Sequence, residues 1–522
     1  MSKQTFLKGT LILIIAGFIT RVLGFINRIV VARYIGEEGV GIYMMTVPTL
    51  VLAITITQLG LPVAISKLVA EAEAKGDQRK IKKILVVSLT ITGTLSLLFT
   101  PTMIYLAPYL AEMFRDSRTV WPLYAVAPVV PIVAISSVIR GYFQGKQNMR
   151  PAAISQVIEQ VVRISLVAIL TSVFLPYGIE YAAAGAMISA VIGELVSLVY
   201  LGAMFKVKKK IKIRRNFVKS IQNGKETFQQ LMNIALPTSG SRFIGTIGWF
   251  FEPIVVANSL AIAGVATALA TKQYGGLTGY ALPLLTLPSF ITFSLSTSLV
   301  PAISEAMANN QLKLVEHRLQ QAIRLSIVSG GLACVVLYVF AEPLMTVMYG
   351  SSQSAIFVQI MAPFFIFHYF QGPLQAVLQA LDLAKAAMIN SLIGAAVKTA
   401  LIFALATRPS LGIMGAALAI VIGIMLVTLL HFGTVLKVVP FTIHVKEYVK
   451  SFVTMILAGV TGYVAYEHLF TNSSLLLKLI LSLVLTTLCY CVLLFILRLI
   501  EKEEVQRIPY VGAFLAKFLP VK

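Results

Sequence analysis

The sequence predicts an all-α polytopic membrane protein with about fourteen transmembrane helices, because its composition, its apolar blocks and the placement of its charges agree. Of its 522 residues, 58% are hydrophobic and only 12% are charged, whereas a soluble domain usually has about 25% charged residues. The apolar residues form long blocks such as 84–100 and 475–497. Apolar runs of about 18 residues or more are typical of membrane-spanning helices.

Fourteen spans follow from these blocks, with ends defined to within a few residues. The predicted spans are 11–31, 40–61, 84–107, 120–139, 152–175, 181–205, 231–257, 279–300, 325–341, 356–377, 387–406, 411–436, 451–466 and 475–497. The first apolar run continues past Arg21 and Arg28 without a small-residue cleavage site, so it is predicted to be a retained helix. The stretch 258–277 is apolar enough either to extend a helix or to pack at the membrane interface.

Lysine and arginine are distributed unequally between the predicted loops, and this asymmetry sets the orientation. With the N-terminus in the cytoplasm, the cytoplasmic segments contain 32 of these residues, and the outer loops contain four: Arg115, Arg118, Lys272 and Arg408. Both termini are therefore predicted to be cytoplasmic, in a bacterial inner membrane. The formal charge of +22 follows this topology, so no nucleic-acid partner is expected.

The two halves of the chain resemble each other at an offset of about 220–240 residues. The matched pairs include RVLGFI at Arg21 with RFIGTI at Arg242, TVPTL at Thr46 with TLPSF at Thr286, and 144–163 with 379–398. The period spans six helices, an even number, so both copies have the same orientation and form two lobes, as in parallel-repeat transporters. Such bundles generally hold their substrate between the lobes, so the repeat predicts transport.

The repeat and the loops divide the chain into five predicted parts. These are an N-lobe of six spans (1–205), a basic cytoplasmic linker (206–230), a C-lobe of six spans (231–436), two further spans (437–497) and a cytoplasmic tail (498–522). The linker is too short to be a domain. It either orients the chain in the membrane or attracts anionic membrane lipids.

Four basic residues at membrane depth are candidates for substrate binding, because an ionisable side chain there costs about 2.5–3.5 kcal/mol on insertion scales. Arg21 and Arg28 are seven residues apart, which is two helical turns, and share one face of span 1. Arg242 is the repeat partner of Arg21, and Lys398 lies in span 11. We predict that they line a cavity for an anionic substrate, since the guanidinium fork of arginine matches phosphate.

Four further charges at membrane depth are predicted to form ion pairs or to couple transport to an ion. Glu159 and Arg163 are four residues apart in span 5 and can pair on one helix face. Glu194 lies in span 6 and Glu252 lies in span 7. For all eight charges, the alternative to a role in substrate binding or coupling is a purely structural one, as internal ion pairs that lock neighbouring helices together.

No catalytic residue, metal site or cofactor is predicted. The five histidines are scattered without metal-ligand spacing, and the three cysteines lie inside apolar runs. NGKE at Asn223 and QGKQ at Gln144 lack the upstream glycine and the Ser/Thr of a phosphate-binding loop, so ATP is not expected to be the direct energy source. An ion gradient or the membrane potential is expected instead, and the coupling ion stays open.

Four segments resemble one known family of membrane proteins. They are ITRVLGFINRIVVARYIGEEGVGIYMM from Ile19, GLPVAISKLVAEA from Gly60, RGYFQGKQNM from Arg140 and GSRFIGTIGWFFEPIVVA from Gly240. Over nearly its whole length, the chain resembles the polysaccharide-export branch of the multidrug/oligosaccharidyl-lipid/polysaccharide (MOP) transporter superfamily, and more distantly the lipid II flippases. The resemblance implies two lobes around a cationic cavity, a polyprenyl-diphosphate-linked saccharide as substrate, and a role in spore cortex peptidoglycan synthesis.

The resemblance carries over to site residues only in part. The lipid II flippases have an essential arginine in the first helix, and Arg21 in TRVLGF matches it. Their second arginine comes six residues later, where this chain has Asn27, and Arg28 follows one position on. Their arginine before a proline-serine step in the eighth helix has no counterpart before Pro288, and the nearest basic residue is Lys272.

These observations favour a flippase that translocates a lipid-linked saccharide by alternating access. A cation-coupled multidrug exporter of the same fold is an alternative, although its cavity should be acidic. A non-transporting partner that recruits cell-wall synthases is another, and the repeat and the intramembrane charges argue against it. A membrane glycosyltransferase would need acidic residues at a membrane face, where the outer loops have only scattered acids, so no enzyme activity is expected.

Overall fold

The computed structural model describes residues 3–208, 222, 224–442 and 445–499, and this part of the chain contains helices and no strand. Helices are what a membrane requires, because a helix satisfies the hydrogen bonds of its own backbone where no water is present. Much of the predicted linker 206–230 and almost all of the predicted tail 498–522 lie outside the described residues.

The α-helices are numbered here in chain order, and the helices that matter for the site lie in the first half. The helices are α1 Lys3–Gln58, α2 Leu61–Ala74, α3 Gln78–Met113, α4 Val120–Val126, α5 Val129–Gly145, α6 Arg150–Phe174, α7 Ile179–Lys208, α8 Lys225–Ile262, α9 Thr267–Gly275, α10 Leu282–Thr286, α11 Ser289–Ala308, α12 Leu312–Val339, α13 Ala341–Tyr349, α14 Ala355–Met361, α15 Phe365–Ala380, α16 Ala384–Ala406, α17 Ile413–Leu436, α18 Val445–Val464 and α19 Leu475–Ile496. A π-helix, Gly276–Ala281, joins α9 to α10.

Thirteen stretches of the described helices are long and apolar enough to cross a membrane. The first stretch, Ile15–Ala74, has 60 residues, whereas one crossing needs about 20. Its helix is broken at Gly36, where φ is 66° and ψ is −177°, so the stretch provides two crossings. The total of about fourteen spans agrees with the prediction, and the all-α polytopic fold is confirmed.

The stretch 258–277, which the sequence left open, is divided between two helices. Helix α8 continues to Ile262, a turn with Gly264 at φ 81° follows, and α9 begins at Thr267. A residue with a Cβ is strained at a positive φ of this size, whereas glycine is not. Residues 258–262 therefore extend a helix, as one alternative predicts, and 267–275 forms a separate helix, for which packing at the membrane interface stays a prediction.

The helices pack into two compact units. The first contains residues 1–280 together with 399–416, and the second contains 281–398 together with 417–522. The first unit thus extends beyond the predicted lobe boundary at 206–230 and includes α8 and α9. The lobe boundaries drawn from the repeat stay a prediction, because the repeat is a similarity of sequence and the two units are defined by packing.

Each unit has a hydrophobic core built from equivalent helices of the repeat. In the first unit, buried side chains of α2, α3, α5 and α7 meet the start of α8 around Leu61, Ile84 and Tyr142. In the second unit, α11, α12, α15 and α17 meet around Ile303 and Leu319. These are the second, third, fourth and sixth spans of each half, so the packing supports the internal repeat seen in the sequence.

Candidate functional site

One face of α1 presents two arginines beside α6. Arg21 and Arg28 are both exposed, and Gly24 lies between them on the same face at the i+3 position from Arg21. A Cβ built at Gly24 would lie 4.0 Å from Oε1 of Gln160 on α6. The arginine face of α1 therefore lies next to the polar segment of α6, with Gly24 near Gln160.

The polar segment of α6 belongs to a tetrad of charges from three helices, in which Glu194 is buried and the other three side chains are half-buried. Arg163 Nη2 donates to Glu159 Oε1 at 2.7 Å within α6. Arg140 Nη2 on α5 donates to Glu194 Oε1 on α7 at 2.9 Å and lies 3.7 Å from Glu159 Oε2. The four side chains are between 4% and 24% exposed. Two positive and two negative charges balance, so the tetrad ties α5, α6 and α7 together without a net charge.

Arg140 is the member of the tetrad that the predicted spans misplace. Span 4 is predicted to end at residue 139, which would leave Arg140 in a cytoplasmic loop, but α5 continues to Gly145. The side chain of Arg140 is only 17% exposed. The signal that could have found it is Glu194, which has no basic residue one turn away in its own span and therefore needs a cation from another helix.

Several polar atoms beside the arginine face have no hydrogen-bond partner among the described residues. They are Oδ1 of Asn27, Oε1 of Gln160, and Nε of Arg140 and Arg163. Asn27 is only 6% exposed. These atoms are shielded from solvent, so this region of the first unit has unsatisfied donors and acceptors that a polar ligand could reach only after a movement of the helices.

Arg242 and Glu252 lie on α8, in the same unit as α1. Arg242 is exposed, as its repeat partner Arg21 is. Glu252 is 5% exposed and lies within electrostatic reach of Tyr274 on α9. The structure thus places three of the four predicted substrate-binding cations in one compact unit.

The fourth predicted cation, Lys398, lies on α16 in the second unit and is half-buried. It packs against α17 where that helix has Gly423, since a Cβ there would lie 2.9 Å from Lys398 Cβ. Arg163 packs in the same way against Gly193 of α7, where the corresponding distance is 3.4 Å. A cation on the fifth span against a glycine on the sixth recurs in both halves, as the alignment of 163 with 398 predicts.

Metal-ligating groups are sparse in the described part of the chain, where no cluster of three or more His, Cys, Asp or Glu could hold a metal ion. Cys334 is buried, Cys489 is half-buried and Cys491 is exposed, and all three are free thiols. The site described above therefore consists of arginines, carboxylates and amides.

A helical bundle of about fourteen spans is the architecture of a multi-pass membrane transporter, and the family models and relatives below place this one in the MOP superfamily. The chain belongs to the polysaccharide biosynthesis protein family, whose model matches residues 6–307, and the MatE model matches residues 254–404. The predicted family is thus confirmed.

Three proteins of Bacillus subtilis (strain 168) show where in this family the chain falls. It is 64% identical to stage V sporulation protein B over 518 residues, which are 99% of this chain and 100% of that protein. It is 31% identical to sporulation protein YkvU over 438 residues, 83% of this chain and 95% of that protein. It is 25% identical to the lipid II flippase MurJ over 422 residues, 76% of each chain.

Solved structures share the fold at low sequence identity. The lipid II flippase MurJ in an inward closed conformation matches with a TM-score of 0.68, covering 92% of this chain and 97% of that chain at 15% identity. A multidrug resistance MATE family transporter in an inward-facing conformation matches with a TM-score of 0.63, covering 80% of this chain and 93% of that chain at 17% identity. Both likenesses show the architecture.

Proposed function

We propose that this protein translocates a polyprenyl-diphosphate-linked saccharide across the cell membrane by alternating access, with the diphosphate held by arginines of the first unit. The observation that supports this most directly is the face of α1 with Arg21, Gly24 and Arg28, which lies next to the polar segment of α6. A transporter that only moved apolar lipid would not need two exposed arginines in a membrane-spanning helix.

The chemistry of a diphosphate explains why arginine would be used. An unpaired phosphate charge in hydrocarbon costs so much free energy that it needs a compensating cation along its path. The planar guanidinium donates two parallel hydrogen bonds to phosphate oxygens, which a lysine ammonium cannot do. Arg21 and Arg28, two turns apart on one face, are spaced to hold neighbouring phosphates or to pass one phosphate along the helix.

The balance of charge in the first unit favours an anionic substrate. Glu159 and Glu194 are held within the tetrad by Arg140 and Arg163, so those four charges cancel. Of the remaining charges at membrane depth in this unit, Arg21, Arg28 and Arg242 outnumber Glu252. The region therefore has a surplus of positive charge.

The saccharide would use hydrogen-bonding groups beside the arginines that become accessible when the helices move. Asn27 Oδ1, Gln160 Oε1 and Arg163 Nε are buried without a partner in this conformation. Once exposed, the two oxygens can accept hydrogen bonds and the nitrogen can donate one. Sugar hydroxyls both donate and accept, so they match this mixture better than an apolar group does. Two relatives are named as sporulation proteins and a third as a lipid II flippase, which supports a peptidoglycan-precursor-like substrate for the spore cortex or the cell wall.

The test is transport in liposomes that contain the purified full-length protein and a fluorescent polyprenyl-diphosphate disaccharide. Protection of the fluorophore from a membrane-impermeant quencher measures translocation. We expect Arg21→Ala and Arg28→Ala to slow transport by about 10- to 150-fold each, since a hydrogen bond to a charged group contributes about 1.5–3 kcal/mol. Arg21→Lys keeps the charge but not the fork and should fall between the wild type and Arg21→Ala.

Arg33 provides a matched control on the same helix. It is exposed and lies twelve residues after Arg21, about 120° away around the helix axis. Arg33→Ala should therefore transport at close to the wild-type rate. If Arg21→Ala and Arg33→Ala have equal rates, the arginine face is not the diphosphate site; if the wild type moves no polyprenyl-diphosphate lipid, the substrate is wrong.

The driving force is proposed to be an ion gradient or the membrane potential, with no cofactor. The carboxylates of the tetrad, Glu159 and Glu194, are the candidates for coupling because they lie at membrane depth between helices of the same unit. Collapsing the proton gradient, the sodium gradient and the membrane potential separately in the same liposomes would show which one drives transport. Undiminished transport with all three collapsed would contradict the proposal.

A second candidate is a cation-coupled multidrug exporter, because the MatE model matches residues 254–404. Its substrates would be cations, which the surplus of arginine disfavours. Susceptibility of cells that express the protein to a panel of cationic drugs separates the two functions. Broad protection that Glu252→Gln abolishes would favour the exporter.

A third candidate, which needs no transport, is recruitment of cell-wall synthases. Co-purification of synthases with the wild type and with Arg21→Ala would test it. Recruitment predicts that function in cells follows synthase binding, whereas a flippase predicts that Arg21→Ala abolishes function with binding intact.

A further inference from the structure

The short segment between α3 and α4 connects two parts of the first unit that belong to different repeats. Asp116 is 3% exposed and accepts hydrogen bonds from Arg118 Nε at 2.9 Å and from Thr271 Oγ1 on α9 at 2.7 Å. Arg118 Nη1 in turn donates to Glu38 Oε1 on α1 at 2.6 Å. A continuous chain of charged contacts therefore runs from α1 through Arg118 and Asp116 to α9.

A second link lies beside the first. Arg115 Nε donates to Asn258 Oδ1 on α8 at 2.9 Å, and Asn258 Nδ2 donates back to the carbonyl of Met113 at 3.0 Å. Arg115 has a φ of 58°, which is unusual for a residue with a side chain. The segment 113–118 thus holds α8 and α9, which follow the repeat boundary, to the helices that precede it.

Next to these links, the backbones of α1 and α9 touch. A Cβ built at Gly41 would lie 2.0 Å from the carbonyl oxygen of Thr271, and one built at Gly275 would lie 2.0 Å from the carbonyl oxygen of Glu37. Only glycine permits such an approach, as in other close helix pairs of membrane proteins. No saccharide can pass between helices whose backbones are in contact.

The two touching segments occupy equivalent places in the repeat. Arg21 pairs with Arg242 in the sequence, and each arginine is followed by a glycine with positive φ: Gly36 at 66° inside α1, and Gly264 at 81° in the turn after α8. The segments that touch come directly after these glycines. On the orientation set by lysine and arginine in the loops, they lie on the outer side of the membrane.

We propose that segment 113–118, together with Glu38, Asn258 and Thr271, is a latch that holds the outer side of the transport path shut. To release a hydrophilic headgroup outward, the protein must separate α1 from α9 and break these contacts. Only the identity of the released substrate depends on the proposed function, since the contacts and the closure involve no substrate. Arg118 binds Glu38 on α1 and Asp116 binds Thr271 on α9. Because the two residues lie in one short loop, movement of that loop would release both helices.

Asp116 stays ionised in the latch over the physiological pH range. Burial raises the pKa of its carboxyl, and the bonds from Arg118 and Thr271 lower it by more, so the pKa lies below its ordinary value of 3.8. The latch is therefore charged whenever the cell is near neutral pH. Its opening must come from movement of the helices and not from protonation of Asp116.

The test is hydrogen exchange of the full-length protein in lipid nanodiscs, followed in the peptides that cover 36–45 and 267–281. Thr271→Val keeps the shape of the side chain and removes its hydrogen bond to Asp116. We expect exchange in both peptides to become about tenfold faster, because a hydrogen bond to a charged group is lost. Thr278→Val is the matched control, since Thr278 is buried seven residues further along and its hydroxyl donates to the carbonyl of Tyr274, four residues before it, instead of to the segment 113–118.

A cross-link provides the second measurement. In a chain whose native cysteines are replaced by alanine, Arg115→Cys and Asn258→Cys are joined by a short, cleavable bifunctional thiol reagent. Transport should stop when the link forms and return when it is cleaved. Equal exchange in Thr271→Val and Thr278→Val, or full transport by the cross-linked protein, would overturn the latch. Faster exchange in Thr271→Val with no transport of the diphosphate lipid by the wild type would overturn the proposed substrate and keep the latch.

Discussion

Replacing Arg140 with methionine removes the guanidinium that reaches both carboxylates of the tetrad. Glu159 would keep Arg163 at 2.7 Å. Glu194 would lose its 2.9 Å partner, and its side chain is only 4% exposed. Methionine is apolar and matches the stem of arginine as far as Nε, so it keeps the packing of the stem while removing the guanidinium carbon and its two terminal nitrogens.

The expected cost follows from leaving one carboxylate buried without a cation. Breaking a buried ion pair from one side costs about 3–5 kcal/mol. Arg140 is 17% exposed, so some water reaches the pair, and we expect a loss near the lower end, about 3 kcal/mol. Against a total stability of about 5–15 kcal/mol for a folded domain, this loss is large.

The assay is reversible unfolding of the purified protein in detergent, for Arg140→Met, Glu194→Met and the double variant. Replacing both members with apolar residues should recover most of the loss, because neither charge then remains buried and unpaired. Arg150→Met, an exposed residue at the start of α6, is the control and should change stability by less than about 0.5 kcal/mol. A loss below about 1 kcal/mol for Arg140→Met, or a double variant no more stable than it, would refute the reasoning.

Three further predictions concern the latch and the repeat. The pKa of Asp116 is below its ordinary value of 3.8 in the folded protein. Its ionised carboxylate therefore stabilises the latch fully above pH 3.8, and this stabilisation is lost as pH falls through the folded-state pKa. Hydrogen exchange in 267–281, corrected for intrinsic rates, should be constant from about pH 5 to pH 8 and rise only below about pH 4. Gly275→Val would place a side chain against the carbonyl of Glu37, so α1 and α9 should separate, and exchange in both peptides should rise above that of Thr271→Val; unchanged exchange would contradict the close packing. Gly423→Leu and Gly193→Leu should each destabilise the protein by about 1–3 kcal/mol in detergent unfolding, because each overfills the space beside Lys398 or Arg163. Destabilisation by only one of the two substitutions would argue against equivalent packing in the two halves.

Local pattern was enough to predict the membrane class and the helices. Apolar blocks of span length and the charge asymmetry of the loops depend only on neighbouring residues and on the thickness of a bilayer. The spacing of Glu159 and Arg163 placed them on one helix face, and the structure has them 2.7 Å apart. The repeat was visible because its two copies kept similar motifs in the same order.

The ends of helices were less predictable, because a helix can continue past the apolar block that identifies it. Span 4 was predicted to end at residue 139, and α5 continues to Gly145. That difference moved Arg140 from a loop into the tetrad. A charge near the end of a span has no local signal that tells whether it turns to water or to a partner on another helix.

The sequence by itself determined that this is a polytopic α-helical membrane protein, and it predicts internal repetition, a basic excess on one side and arginines at membrane depth. These properties depend on short segments, because each membrane-spanning segment must by itself be long and apolar enough to cross the bilayer. Only the tertiary structure decided which charges meet. Arg140 and Glu194 are 54 residues apart, and Asp116 and Thr271 are 155 apart. Such contacts depend on how whole helices pack, and packing is decided by side-chain shape across the bundle and not by any local pattern.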